Sequence, residues 1–326
     1  MKHQILALAV AALSFTACSN EDNISQDYLA DTPIKLNVSV DEPTTRAGYS
    51  NTELPEGFVL NVDHYLDLAN EIPDEKYSYP VWAEKVENGW KTYDLTQYLT
   101  DGTKKEVTML WANMNDQVEV TASTKVEPIT IPTDQISDEQ LKQADVLHMP
   151  STWYSPKSCK DGITVNLQHA MSKINLTIEL GSEFEFTEDI NKKITDVKID
   201  GSLVSGISTP DGIKDEFGDP TPITPFYTGE TPFSKDANGT ITKASATYEA
   251  ILIPQTIESG KFTVSFKVEG KLYEWAYNNE AGLTLAPNTA YTLKLIAGDD
   301  KVQPASFSVA AWGEGNGKDG ENKETD

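Results

Sequence analysis

The chain has 326 residues, 38% of them apolar, and its 51 acidic against 26 basic side chains give a formal net charge of −25. That length suits two domains of ordinary size, and the apolar fraction is sufficient for β-domains with one wet face. The acidity argues against nucleic acid, whose phosphates need a basic footprint, and against adsorption to anionic head groups.

In chain order, residues 1–17 read as a signal peptide: Lys2 and His3 open it, and Ile5 to Phe15 is apolar apart from Ser14. The run is shorter than the ~20 residues a bilayer span needs, so it is an export signal rather than a membrane helix. Leu13-Ser14-Phe15-Thr16-Ala17-Cys18 resembles a bacterial lipobox, with the Cys18 thiol as lipid acceptor. Several acyl chains at one cysteine hold a soluble domain on a membrane where one chain binds only marginally. Ser19-Asn20-Glu21-Asp22 follows and resembles a surface-export tag, within a lipidated linker over 18–33.

Ile34-Lys35-Leu36-Asn37-Val38-Ser39-Val40 alternates with period two and predicts a strand with Ile34, Leu36, Val38 and Val40 inward. It runs into Thr44-Thr45-Arg46-Ala47-Gly48, which holds the one arginine of the chain. An Arg-specific protease therefore has a single target, and cutting between Arg46 and Ala47 releases residues 34–46 and little else downstream of the linker.

The rest reads as strand, turn, strand. Gly57 to Val62 is a strand, Val81–Val86 and Trp90–Tyr93 flank an Asn88-Gly89 hairpin turn, and Val107 to Ala112 reads as a buried strand before Val118–Val120. One short helix is expected at Ser137-Asp138-Glu139-Gln140, a capping box followed by Leu141, Ala144 and Leu147 at helical spacing. Between Gly162 and Leu180 the apolar phase flips near Ser172-Lys173, which requires a bulge or a change of sheet and marks the seam between two β-domains. Further strands are expected at 192–199, 241–253, 262–268, 272–277, 291–295 and 307–311, with a long loop region at 206–236. Turn signals at this spacing point to β-sandwiches. Residues 313–326 carry no large apolar side chain and predict a disordered acidic tail.

The chemistry-bearing residues form no enzyme signature. His169 lies on the apolar phase of its strand and suits core packing or a local hydrogen bond. His148 and Cys159 lack paired metal-ligand spacing, and no Cys–His nucleophile arrangement is readable. With Cys18 lipidated, Cys159 has no intrachain partner. Gly313 to Lys318 mimics a phosphate loop without the Ser/Thr or helix that makes one. Asp211–Asp219 and Asp236–Thr240 do not follow the twelve-residue calcium pattern. No cofactor is expected. Trp82, Trp90, Tyr93, Trp153, Tyr154 and Tyr227 suit a sugar platform or a sandwich core equally; Trp82 is assigned to the core, whereas Trp153 and Tyr154, in a Pro/Ser context, are candidate contacts for a glycan or host-surface ligand.

Taken in order, the lipobox at Cys18, the strand before Thr45-Arg46-Ala47, Ala144-Asp145-Val146-Leu147, Leu167-Gln168-His169-Ala170-Met171-Ser172-Lys173, Ile251-Leu252-Ile253-Pro254-Gln255 and Leu285-Ala286-Pro287-Asn288-Thr289-Ala290-Tyr291, with a last strand ending in Trp312, resemble the fimbrillin family of Bacteroidales, the Mfa-like subunits of type V pili. The resemblance covers nearly the whole chain. It implies an all-β fold of two transthyretin-like β-sandwich domains in tandem, placed at 47–162 and 163–312, and a non-enzymatic fimbrial subunit serving adhesion. It also implies export to the outer-membrane surface, removal of the first strand by an Arg-specific protease, and filling of the vacated groove by a strand of another fimbrial subunit. Because 313–326 has no alternating apolar set, either 302–312 donates a strand in turn or the subunit accepts without donating, as at a tip. The alternative is a surface lipoprotein that binds carbohydrate without polymerising.

Overall fold

The computed structural model describes residues 31–40, 54–125, 128–184, 193–209, 212–229, 233–298 and 301–312. Its architecture is all-β, with two short α-helices among the described residues. The expected helix forms over Asp138–Ala144: it starts at Ser137, whose side chain accepts from the Gln140 backbone N–H, and buries Leu141 and Ala144, whereas Leu147, expected on the same face, opens the next strand. A second helix, Leu95–Asp101, was not anticipated; Asp94 caps its start and Gly102, in the left-handed region, ends it.

An eight-stranded sheet forms the N-terminal part. Its order is Leu36–Val40, Ile163–His169, Leu147–Tyr154, Val118–Ser123, Gly57–Asp67, Tyr79–Val86 and Gly89–Asp94, with Ile72–Pro73 paired beside Gly57–Asp67. Each neighbouring pair is antiparallel except the first, where Leu36–Val40 runs parallel to Ile163–His169. Residues 107–111, expected as a strand, instead join the two ends of this sheet. The Val107 N–H donates to Thr92 on the far edge strand, and the Met109 carbonyl accepts from Ile34 at the lead-in to the first strand. Met109 and Trp111 are buried, so the apolar signal was real, but the segment forms bridges rather than a ladder.

A second sheet is built around Ser172–Leu180, antiparallel to Ile241–Leu252 and parallel to Thr289–Ala297, which carries Val302–Ala311 on its outer side. A three-stranded sheet of Ile194–Asp200, Thr263–Val268 and Lys271–Ala276 contributes Ile199, Val264 and Phe266 to the same core. The hairpin inside it turns at Glu269 and Gly270, both at positive φ, as a two-residue turn requires. The region at 206–236 is not one long loop: Ser205–Thr209 and Gly212–Phe217 pair with each other, and the first also pairs with Ile129–Thr130. Its Gly, Pro and Asp content hid strands that are fixed by a distant partner rather than by local propensity.

Buried apolar residues fall into two clusters. One lies within the eight-stranded sheet and includes Phe58, Leu60, Val62, Val120 and Leu167. The other surrounds Ser172–Leu180 and takes in Ile129, Ile131, Leu141, Ala144 and Val146 from earlier in the chain. The apolar phase flip is a change of sheet: Ile163–His169 ends in the first sheet, Ala170 and Met171 are both buried, and Ser172 begins the second. The sheets therefore change at Ala170–Met171.

Candidate functional site

The features that bear on function are the two edge strands at the ends of the described chain and the buried seam that joins them. Among the described residues, the first strand has one ladder partner. Leu36 to Val40 pair in parallel with Ile163 to Leu167, and Ile34 and Val40 are buried while Leu36 and Val38 are half-buried against the first core. Lys35, Asn37 and Ser39 face solvent, so the alternation predicted from sequence sets which side chains enter the groove. Asn37 Nδ2 donates to the Asp161 carbonyl and Ser39 Oγ to Asn166, tying the outer face as well.

Gly162 makes the approach close. Its φ is +119°, and a Cβ there would stand 2.8 Å from the Lys35 carbonyl oxygen. A side chain at 162 is both conformationally disfavoured and in contact with the strand it must admit. Gly162→Ala is expected to cost roughly 1–3 kcal/mol and to lower the denaturation midpoint relative to wild type. An unchanged midpoint would show that the strand is not seated as described.

The last strand differs in kind. Among the described residues, Val302–Ala311 lies at the edge of the second sheet, paired with Thr289–Ala297 alone, and most of its side chains are exposed, Val309 at 56%. Phe307 is its main apolar contact, against Tyr277 and Tyr291. The strand ends in Trp312, which is fully buried and stacks on His169 with ring centroids 4.3 Å apart and planes within 5°. His169 Nδ1 lies 2.9 Å from the buried Asp145 carboxylate, so its ring is held from one side by the residue after the Asp138–Ala144 helix. Backbone bonds complete the seam: the Asn288 N–H donates to Met171, and the Trp312 N–H donates to Asn288. Fully buried Lys173 meets Glu249 at 3.0 Å nearby, and burial pulls its ammonium below the usual lysine range against the attraction of that carboxylate. His169 is thus packed in the core, one of the two roles its strand position suggested, and its hydrogen-bond partner is a carboxylate rather than backbone.

The candidate ligand residues are separated. Trp153 and Tyr154 are consecutive in a strand and point to opposite faces. Trp153 is 40% exposed and packs against Tyr65, whose hydroxyl donates to Glu119; the Ser151 hydroxyl donates to the same carboxylate. Tyr154 turns to the first core, and its hydroxyl donates to the Thr164 carbonyl. Trp82 is half-buried on the outside of its sheet, stacked on Tyr98 of the Leu95–Asp101 helix, rather than in the core. His148 and Cys159 are not brought together: His148 pairs with Gln168 at one end of the Ile163–His169 strand, whereas Cys159 sits in the turn before its other end. Burial holds the His148 imidazole below its ordinary value. Cys18, Arg46 and Ala47 lie outside the described residues. Tyr65 and Glu119 beside Trp153, and Asp145 and Trp312 around His169, carried no signal that sequence spacing could have combined.

No curated protein matches the chain. Among solved structures, a candidate cell adhesion protein from Bacteroides ovatus is 14% identical over 85% of this chain and 97% of that one, with a TM-score of 0.52. The tip fimbrial protein Mfa3 of Porphyromonas gingivalis is 10% identical over 86% and 99%, with a TM-score of 0.44. The fimbrial anchor protein Mfa2 of the same organism is 12% identical over 86% and 98%, with a TM-score of 0.38. At these identities the Bacteroides ovatus likeness is one of fold. The model described as fimbrillin-like matches residues 83–312. Matched over well more than half its length, the chain belongs to the fimbrillin-like family, whose members are structural fimbrial and adhesive proteins rather than enzymes.

Proposed function

We propose that this protein is a fimbrial subunit that is exported as a lipoprotein through Cys18, loses its first strand by cleavage between Arg46 and Ala47, and accepts a strand from another subunit. The observation that carries the reading is the first strand itself: an edge strand with one ladder partner among the described residues, apolar side chains alternating into the groove, and the one arginine of the chain six residues beyond its end. Its loss leaves the unpaired edge of Ile163–His169 and an apolar trough, the arrangement that β-augmentation uses, with main-chain bonds for affinity and alternate side chains for fit.

The acceptor role is firmer than a donor role, which makes a tip or accessory position the better fit. Residues 313–326 lack alternating apolar side chains, and withdrawing 302–312 would pull Trp312 from its buried stack on His169. The subunit is placed at the outer-membrane surface before processing and in the fimbrium afterwards. N-terminal sequencing with intact mass on protein from the native cell surface tests this. A chain beginning at Ala47 is the expected result. A chain beginning at acylated Cys18 would remove the acceptor role and leave an anchored surface protein.

A further inference from the structure

Outside the strand edges, the described residues contain a cavity of about 350 Å³ on the second core, between the Ile194–Asp200 strand and the segment leading into Phe226–Tyr227. Its volume is at the lower end of the range that small-molecule sites occupy. One wall is aromatic. Tyr227 and Tyr248 are cross-strand partners with ring centroids 5.5 Å apart and planes inclined by 54°.

The opposite wall comes from a β-bulge. The register of Ile194–Asp200 against Thr263–Val268 shifts between Thr195 and Lys198, and Asp196 takes φ of +52°. The bulge explains the burial sequence, in which Ile194, Val197 and Ile199 are buried although their spacing is not strictly alternate. It leaves Thr195 and Asp196 both exposed at the rim. Bulges recur beside binding sites because they re-aim side chains in this way.

The polar groups are mutually positioned. Lys198 Nζ donates to Thr224 Oγ1, and that hydroxyl donates to Asp134 at 2.7 Å. Asp196 is held by Lys267 at 2.8 Å. Two lysines and two aspartates sum to no formal charge, in a chain whose total is −25. The cavity therefore offers little field to a charged ligand. It offers hydrogen-bond donors and acceptors side by side, facing a phenol ring. Burial raises the Tyr248 hydroxyl well above its ordinary pKa, so it stays neutral. Adjacent hydroxyls on one edge and an apolar C–H face on the other are the features of a pyranose that such walls complement.

We propose that this cavity binds one neutral pyranose unit of a surface glycan, stacked on Tyr227 and hydrogen-bonded by Thr195, Asp196, Lys198 and Thr224. The assignment rests on the adhesive reading above and deepens it by naming the class of ligand. Saturation-transfer NMR on the full folded chain, with the methyl glycosides of glucose, galactose, mannose and N-acetylglucosamine as probes, tests it. Transfer to at least one probe is expected, with affinity in the millimolar range, and Tyr227→Ala should weaken it about tenfold or more. Asp196→Gly serves as the variant that keeps the fold, since glycine adopts positive φ freely; it should weaken binding about tenfold through the lost charge-assisted bond. No transfer from any of the four probes, or affinities unchanged in both variants, overturns the proposal. The polymer ladder of the native fimbria is read separately. A ladder without glycoside transfer overturns the cavity assignment alone. Transfer without a ladder supports the cavity and removes the fimbrial reading.

Discussion

A chain carrying Arg46→Ala is expected to retain Leu36–Val40 and to be absent from the fimbrial polymer, whereas wild type is expected to be incorporated into it. The reason is thermodynamic competition rather than access alone. While the first strand is covalently attached, it binds its groove intramolecularly, at an effective concentration of about the millimolar range for a short tether. A partner's strand of similar sequence pattern cannot displace it at ordinary protein concentration. Ile34 and Val40 are buried and Leu36 and Val38 partly so, and each fully buried side chain of this size contributes about 1.5–3 kcal/mol. Cutting between Arg46 and Ala47 ends the tethered advantage, and the groove then selects whichever strand is supplied. Lysine at 46 should behave as alanine does toward an Arg-specific protease. Incorporation of the alanine variant into the fimbrial polymer would sink the proposed activation step, because the sequence holds no other arginine for the protease to use.

The largest stability effect is expected at Trp312. Truncating a fully buried tryptophan to alanine typically costs roughly 3–5 kcal/mol. Here it would also strip the stacked face from His169, leaving the Asp145–His169 pair with an open cavity on one side. Equilibrium urea denaturation of Trp312→Ala should show a midpoint well below wild type. Val309→Ala, at a position 56% exposed on the same strand, should change stability by no more than about 0.5 kcal/mol. Equal effects from the two variants would contradict the account of a strand that is lightly held along its length and firmly held at its end.

Much of this fold was legible where one face of a strand alone determines the pattern. The inward alternation of Ile34, Leu36, Val38 and Val40 was legible although the ladder itself begins only at Leu36, because an edge strand on a core has no second layer to blur its period. The flip near Ser172-Lys173 was legible for the same reason, since period two permits no drift within one sheet. Residues 107–111 misled because burial of Met109 and Trp111 gave them a strand's composition, while their backbone partners belong to two different edges. The Ser205–Phe217 hairpin was hidden by its Gly, Pro and Asp content; its pairing with Ile129–Thr130 is set some seventy residues away in sequence. The seam was half legible. His169 stood out as a polar residue on an apolar phase, but nothing local links it to Asp145 or to Trp312. The cavity beside Asp196 depends on a bulge, and one exposed Thr-Asp pair in a strand is not a readable signal for one.

The parallel orientation of the first strand has a mechanical consequence. A chain that enters the sheet beside Ile163 and leaves beside Leu167 has its two ends at opposite ends of the ladder. Tension applied through those ends runs along the strand, so the pairs from Leu36 to Val40 are loaded together and not peeled one at a time as in a hairpin. Resistance to such a pull is governed by the unfolding rate rather than by equilibrium stability. A strand seated in this orientation can therefore hold under shear for longer than the modest area it buries would suggest.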